Sequence, residues 1–373
     1  MMLFSSLFIA SKLKSENVFD GVLNGLYGGL IWTWILFNFD QNRRMKHLTI
    51  IFPGENSNFS TVACIAAVFE MIAAANSYRR KAGKENLFVV ELAGTAVKEE
   101  MYDGLFTVKP QVKIGAINKT DLIIIPSSVP FYQKTGKVDQ PMLDWIKRQY
   151  RDGAEIACMC SGAFMLASSG LLDGRNCSTH WAHADAFRQQ FPQVNLKADQ
   201  LITDEKGIYT NGGAYSFLNL LVFLIEKYYG RQTAIYCSKI FQIELDRNSQ
   251  SLFTIFTGQK LHGDQMVEQA QAYIESQLHE KISVEHLSSR FSIGRRNFDR
   301  RFIKATGNTP VEYAQRVKIE SAKKAFEATR KTINEVMYEV GYSDVKAFRE
   351  VFRKITGISP LEYRSRYNKE ARE

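Results

Sequence analysis

The chain has 373 residues, 45% of them hydrophobic and 23% charged, a globular composition long enough for two or three domains. Its 48 Lys and Arg against 39 Asp and Glu leave a net charge of +9, which fits a nucleic-acid partner. Five scattered cysteines (Cys64, Cys158, Cys160, Cys177 and Cys237) exclude a disulfide framework and a CxxC zinc site and suit a reducing cytoplasm.

Residues 1–44 stand apart from the rest of the chain. Gly21 to Phe39 is an uncharged run of 19 residues, followed by Arg43, Arg44 and Lys46. That length borders on a membrane span, and the basic flank would put its C-terminal side in the cytoplasm. No small-residue cleavage site follows it. The preferred reading is that translation begins at Met45, directly ahead of the strand-like His47–Phe52. A membrane-tethered chain is the alternative.

Residues 45–245 alternate short apolar runs with helical periodicity. Leu48–Phe52, Phe88–Leu92, Leu122–Ile125 and Ile156–Met159 are of buried-strand type. Thr61–Ala75, Val138–Tyr150, Gly162–Ser168 and Ala214–Tyr229 predict helices. Such alternation implies an α/β class, a doubly wound sandwich with a mainly parallel sheet. Ligands in such sheets bind at the carboxyl ends of the strands.

One turn there stands out. Ile156 to Ala163 runs from strand straight into helix, exposing Cys160 at the sheet edge and at a helix N-terminus, where a thiol pKa is lowered. A cysteine nucleophile also needs a base, and His180 is a candidate. Three readings fit: Cys160 and His180 as packed core residues, a non-catalytic ligand pocket, or a cysteine-dependent enzyme. The Cys160 turn, Leu171–Arg175 and Thr179-His180-Trp181 resemble the class I glutamine amidotransferase-like superfamily, the group of the PfpI-type proteases. The resemblance makes Cys160, Ser161, His180 and Glu55 the candidate pocket, Glu55 supplying a carboxylate after the first strand. Enzymes of that group usually carry His directly after the elbow cysteine. Ser161 stands there instead, and Cys158 replaces a glycine, so a sensing pocket without catalysis is the reading preferred over an amidase, protease or glyoxalase-like activity. Neither a cofactor nor a metal is implied.

Residues 246–263 are polar and turn-rich and predict a linker. Residues 264–373 predict a helical domain containing one pattern twice. Phe298, Phe302, Lys304, Thr306, Gly307, Pro310, Glu312 and Tyr313 recur fifty positions later as Phe348, Phe352, Lys354, Thr356, Gly357, Pro360, Glu362 and Tyr363. Each copy predicts two helices joined by a short turn, 284–291 then 295–304, and 333–340 then 344–355. That is the unit whose second helix enters the DNA major groove. Residues 290–324 hold ten Lys and Arg against three acids. Arg295 and Arg296 fall in a first helical turn, where the dipole disfavours cations by about 0.3–1 kcal/mol each, so they suit phosphates or guanines better than folding.

The repeat, with Gly341-Tyr342-Ser343-Asp344, Ser359-Pro360 and Glu362-Tyr363-Arg364, resembles the DNA-binding domain of AraC/XylS-family transcription regulators. Gly294 replaces the usual capping Ser and Met337 a usual Ala, departures that a glycine cap and an adaptable methionine tolerate. Joined to the preceding domain, the pattern resembles the GlxA-type regulators. The resemblance implies operator DNA, a small-molecule effector, RNA polymerase and a second copy paired through the α/β domain as partners. Nitrogenous metabolites are plausible effectors by the same analogy. Arg295, Arg296, Asn297 and Arg300 are expected to serve a first groove, and Lys346, Ala347 and Arg349 a second about 34 Å away. Ser343 and Thr306 are expected at caps or phosphates.

Overall fold

The computed structural model describes residues 45–95, 98–129, 139–260, 262–280 and 282–368. The extension, with both readings of it, lies outside the described residues.

The first half is a seven-stranded sheet. Its elements are β1 (Lys46–Ile51), α1 (Phe59–Lys81), β2 (Phe88–Gly94), the hairpin β3 (Glu99–Met101) and β4 (Phe106–Val108), β5 (Val112–Lys113), β6 (Leu122–Ile125), α2 (Gln140–Arg151), β7 (Glu155–Met159) and α3 (Ala163–Ser168). Then come β8 (Asn176–Cys177), α4 (Ala184–Gln190), β9 (Asn195–Leu196), β10 (Ile202–Glu205), β11 (Ile208–Asn211), α5 (Phe217–Tyr229) and α6 (Arg231–Ile240). The sheet order is β10–β11–β7–β6–β1–β2–β5, with every pairing parallel except β10 with β11.

Residues alternate between the two faces as the strand period requires. Leu48, Ile50, Leu122, Ile124, Ala157 and Met159 pack on one side with α1, α5 and α6. Ile51, Ile123, Ile125, Ile156 and Cys158 pack on the other with α2 and α3. The α/β class with a doubly wound, mainly parallel sheet is therefore the observed one. The helix α1 has the length and hydropathy of a membrane span. It packs instead through Cys64, Val68, Met71 and Ala75 into the sheet core.

The second half is helical: α7 (Gln265–Ser276), α8 (Val284–Arg290), α9 (Arg295–Thr306), α10 (Pro310–Ala328), α11 (Ile333–Glu339), α12 (Val345–Thr356) and α13 (Pro360–Tyr367). The two helix-turn-helix units are α8–α9 and α11–α12, and each has its own core. Phe298 and Phe302 pack with Leu287 and Tyr313, while Phe348 and Phe352 pack with Val336 and Tyr363. The helix α10 joins the units, giving Tyr313 and Ala314 to the first core and Ile319, Ala322 and Phe326 to the second. The repeat reaches the caps. Thr309 with Glu312 and Ser359 with Glu362 form capping boxes, and Gly307 and Gly357 end the recognition helices left-handed, at φ 69° and 85°.

The polar stretch between the halves was expected as a linker, and its packing departs from that of a loose tether. Ser249 bridges Gln200, Leu252 packs on the second helical core and Phe256 on the first. The anchors are isolated contacts, two apolar side chains and a few backbone and amide hydrogen bonds, and they leave no periodic pattern in a polar stretch.

Candidate DNA interface and sensor elbow

The second helix of each unit presents its cations outward because its phenylalanines, four apart, take the inner face. Arg295, Arg296, Asn297 and Arg300 on α9 are all exposed, as are Lys346, Ala347 and Arg349 on α12. Gly294 caps α9 without a side-chain bond. Arg295 pairs with Glu285 of the preceding helix, and Arg300 donates to Asn297 Oδ1 at 3.0 Å. In the second unit Asp344 caps α12 by accepting from Ala347 N at 2.9 Å, which leaves the neighbouring exposed Ser343 out of the cap. Thr306 is only 1% exposed, and its hydroxyl donates to Phe302 O. Of the two roles expected for Thr306, cap or phosphate, its hydroxyl takes the first: buried, it accepts from Asn308 N at 3.1 Å just past the end of α9.

On the sensor side, Asn297, Arg300, Arg301 and Lys304 line a cleft of about 1220 Å³ whose far wall is α4, with Asp185, Arg188 and Gln189. The first recognition helix thus faces the α/β domain along one edge.

The elbow has the expected backbone. Cys160 takes φ +53°, rare for a residue with a Cβ, between β7 and a short 3-10 turn leading into α3. Its amide donates to Asn211 Oδ1 at 3.0 Å, and its carbonyl accepts from Thr179 Oγ1 at 3.0 Å. Gly162 follows because a Cβ there would sit 2.5 Å from Pro126 O.

The elbow's chemistry differs from the expectation. Cys160 is 6% exposed, and burial pushes its thiol up despite hydrogen bonds from Ser127 and Ser161. The expected lowering at a helix N-terminus does not occur, because loss of water outweighs one short turn's dipole. Burial also pushes the neighbouring Cys64 and Cys177 thiols up, each to about 12. The imidazole of His180 is engaged elsewhere: Nδ1 accepts from Ala182 N at 3.1 Å, and the ring lies 5.6 Å from that of His183. Burial, then His183, lowers its pKa to about 4. Ser161 Oγ lies 2.9 Å from Ser127 Oγ and donates to Ser128 O at 2.5 Å. Glu55 is exposed in the turn after β1. Beside it, Asn56 is 8% exposed, and its buried Oδ1, like Ser57 Oγ, has no hydrogen-bond partner among the described residues. The carbonyl of Asn56 accepts from Val129 N at 2.7 Å, next to the Ser127–Ser128 turn that holds Ser161.

Three residues at this site carried little sequence signal. Asn211 precedes two glycines, Thr179 precedes the singled-out His180, and Gln250 sits in the polar linker. Gln250 is fully buried and enters the α/β domain. Its Nε2 donates to Thr179 O at 2.9 Å and Ala198 O at 2.7 Å, and its Oε1 accepts from Trp181 N at 3.3 Å. Gly212 makes room, since a Cβ there would lie 2.0 Å from Gln250 Nε2. Further along, Thr254 O accepts from Lys323 Nζ at 2.7 Å, and Phe256 N donates to Glu320 at 3.1 Å. A chain of contacts thus runs from Cys160 through Thr179 and Gln250 to α10.

Known proteins divide this chain in the same way. Residues 65–227 match the DJ-1/PfpI family and residues 287–366 a helix-turn-helix domain. The chain is 26% identical over 263 residues to the HTH-type transcriptional regulator GbdR of Pseudomonas aeruginosa, covering 70% of each chain. It is 25% identical to the regulator ArgR of the same organism, over 59% of this chain and 67% of that one. It is 24% identical to the regulator GlxA of Rhizobium meliloti, over 59% of this chain and 68% of that one. The chain thus matches the DJ-1/PfpI family over its α/β part and a helix-turn-helix domain over its helical part, and the relatives named above are transcription regulators.

Proposed function

We propose that this regulator reads DNA with both α9 and α12 and that its α/β domain senses a small metabolite without turning it over. The observation that carries the second half is the Cys160 thiol. It is buried, its pKa is pushed up, and its hydrogen-bond partners are serines, so it lacks the ionised sulfur that nucleophilic chemistry requires. The effector site is proposed at the elbow, among Cys160, Ser161, His180 and Glu55. Asn56 Oδ1 and Ser57 Oγ, without a partner among the described residues, supply polar atoms there that a ligand would satisfy. Metabolite binding is transmitted along Thr179 and Gln250 to α10, and thereby to both recognition helices.

The remaining partners follow from the role. A second copy pairs through the α/β domain, RNA polymerase is engaged at the promoter, and the protein works in the cytoplasm. The experiment titrates metabolites against the intact protein and Cys160→Ala, with operator affinity and product formation as readouts. The proposal expects unchanged operator binding without effector, an altered effector response in Cys160→Ala and no turnover. Turnover that vanishes in the mutant would establish the enzyme reading instead.

A further inference from the structure

A second cavity, of about 260 Å³, lies where the α/β domain, the strap 249–260 and both helix-turn-helix units meet. Trp181 and Ala182 line it from the elbow side, and Asp185 and Arg188 from α4. Phe256 lines it from the strap, Arg316 from α10, and Ile355 and Thr356 from the end of α12.

Two ion pairs close within it, and Arg316 and Asp199 are left without an ion-pair partner among the described residues. Arg188 bonds Asp185 at 3.1 Å, and Lys323 bonds Glu320 at 2.7 Å. Arg316 is half-buried and makes no hydrogen bond or ion pair with a described residue. Its surroundings disfavour the charge: burial first, then the guanidinium of Arg188, lower its pKa, against weaker support from Asp199 and Glu312. An arginine keeps its charge regardless and presents five N–H donors in a planar fork. A partly desolvated guanidinium beside a second one, with its donors unused and an open cavity before it, is an arrangement completed by an anion.

We propose that this cavity binds a small carboxylate anion, held by the Arg316 fork and by Arg188, with its carbon body against Trp181 and Phe256. The carboxylate accepts two parallel N–H bonds from Arg316. Arg188 adds charge from the sensor side while keeping its bond to Asp185. The cavity is at the small end for metabolite sites, which suits a ligand of amino-acid size. Because Arg188 belongs to the α/β domain and Arg316 to the reader, the bound anion fixes one arrangement of the two. The cavity shares none of the elbow's proposed ligand residues, Cys160, Ser161, His180 and Glu55.

The test uses succinate, with inorganic phosphate as the second anion and sodium chloride at equal ionic strength as control. Binding is followed by isothermal titration and by thermal melting of the full chain. The expected result is saturable succinate binding that Arg316→Gln weakens at least tenfold, that Arg316→Lys weakens less, and that Cys160→Ala leaves unchanged. Melting of ligand-free Arg316→Gln at or above the temperature of the unsubstituted chain shows that the variant folds. Phosphate binding as tightly as succinate, with the same Arg316 dependence, would overturn the carboxylate assignment. Succinate binding untouched by Arg316→Gln, or lost in Cys160→Ala instead, would overturn the site. So would an absence of saturable binding by either anion beyond the salt control. Loss of the elbow response in Cys160→Ala bears only on the sensor reading.

Discussion

Gln250 anchors the strap to the α/β half through a single side-chain amide. It is fully buried and uses both ends of that amide, so truncation leaves Thr179 O, Ala198 O and Trp181 N without partners. Orphaning buried groups of this kind costs about 1–3 kcal/mol. Gln250→Ala should therefore lower the unfolding free energy by that amount, read from the shift of the denaturant midpoint, and it should also weaken the effector's influence on DNA. Unchanged stability would mean that the strap is not held as described. His180 gives a pH signature at the same place. Its pKa falls from the ordinary 6.5 to about 4 in the folded chain, so between those values the unfolded chain holds more protons. The stabilising contribution is complete above pH 6.5 and is lost as pH falls toward 4. His183 shifts in the same direction through burial. Melting temperature should drop between pH 7 and pH 5, and His180→Gln should flatten that slope. The residues behind these predictions were only partly legible in the sequence. Cys160 and His180 were visible because a strand running straight into a helix marks an elbow. Whether a thiol is ionised depends on water access, which the turn motif does not encode. Asn211 and Thr179 each hold Cys160 through one side-chain bond, and a single hydrogen bond leaves no periodicity.

Among the elements, the helices carried the stronger signal. Phe298 and Phe302, repeated at Phe348 and Phe352, marked both recognition helices, since only a four-residue period puts both rings inward. Phe302 and Phe352 occupy matching places in separate cores. Each change to Ala should cost about 3–5 kcal/mol. Phe302→Ala should expose the first unit, α8–α9, to hydrogen exchange while sparing α11–α12, and Phe352→Ala should do the reverse. Simultaneous exposure of both units by either change would show that the two cores unfold as one. The strands β1, β2, β6 and β7 were legible because strands buried on both faces read as continuous apolar runs. The antiparallel edge β10–β11 was not, because Ile202–Glu205 carries Thr, Asp and Glu at a half-solvated rim. The strap was read as a linker because its polarity resembled that of a loop.

For the whole molecule, the domain pairing defines the function. A helical domain with two exposed basic helices is set across a cleft from the α/β domain, the strap contacts both, and α10 lines a cavity with the α/β domain. An effector can act only by preferring one arrangement of these parts, with a typical coupling of about 1–3 kcal/mol. The central claim is that α9 and α12 read two separate grooves. The direct measurement is the affinity of Arg296→Ala and Arg349→Ala for a set of operator variants, each changed in one half-site. The account predicts that each mutant loses about 1–3 kcal/mol on the intact operator, and that changing the bases in its own half-site abolishes that loss. If both mutants weaken every sequence equally, or neither weakens any, the two helices do not read bases and the account is contradicted.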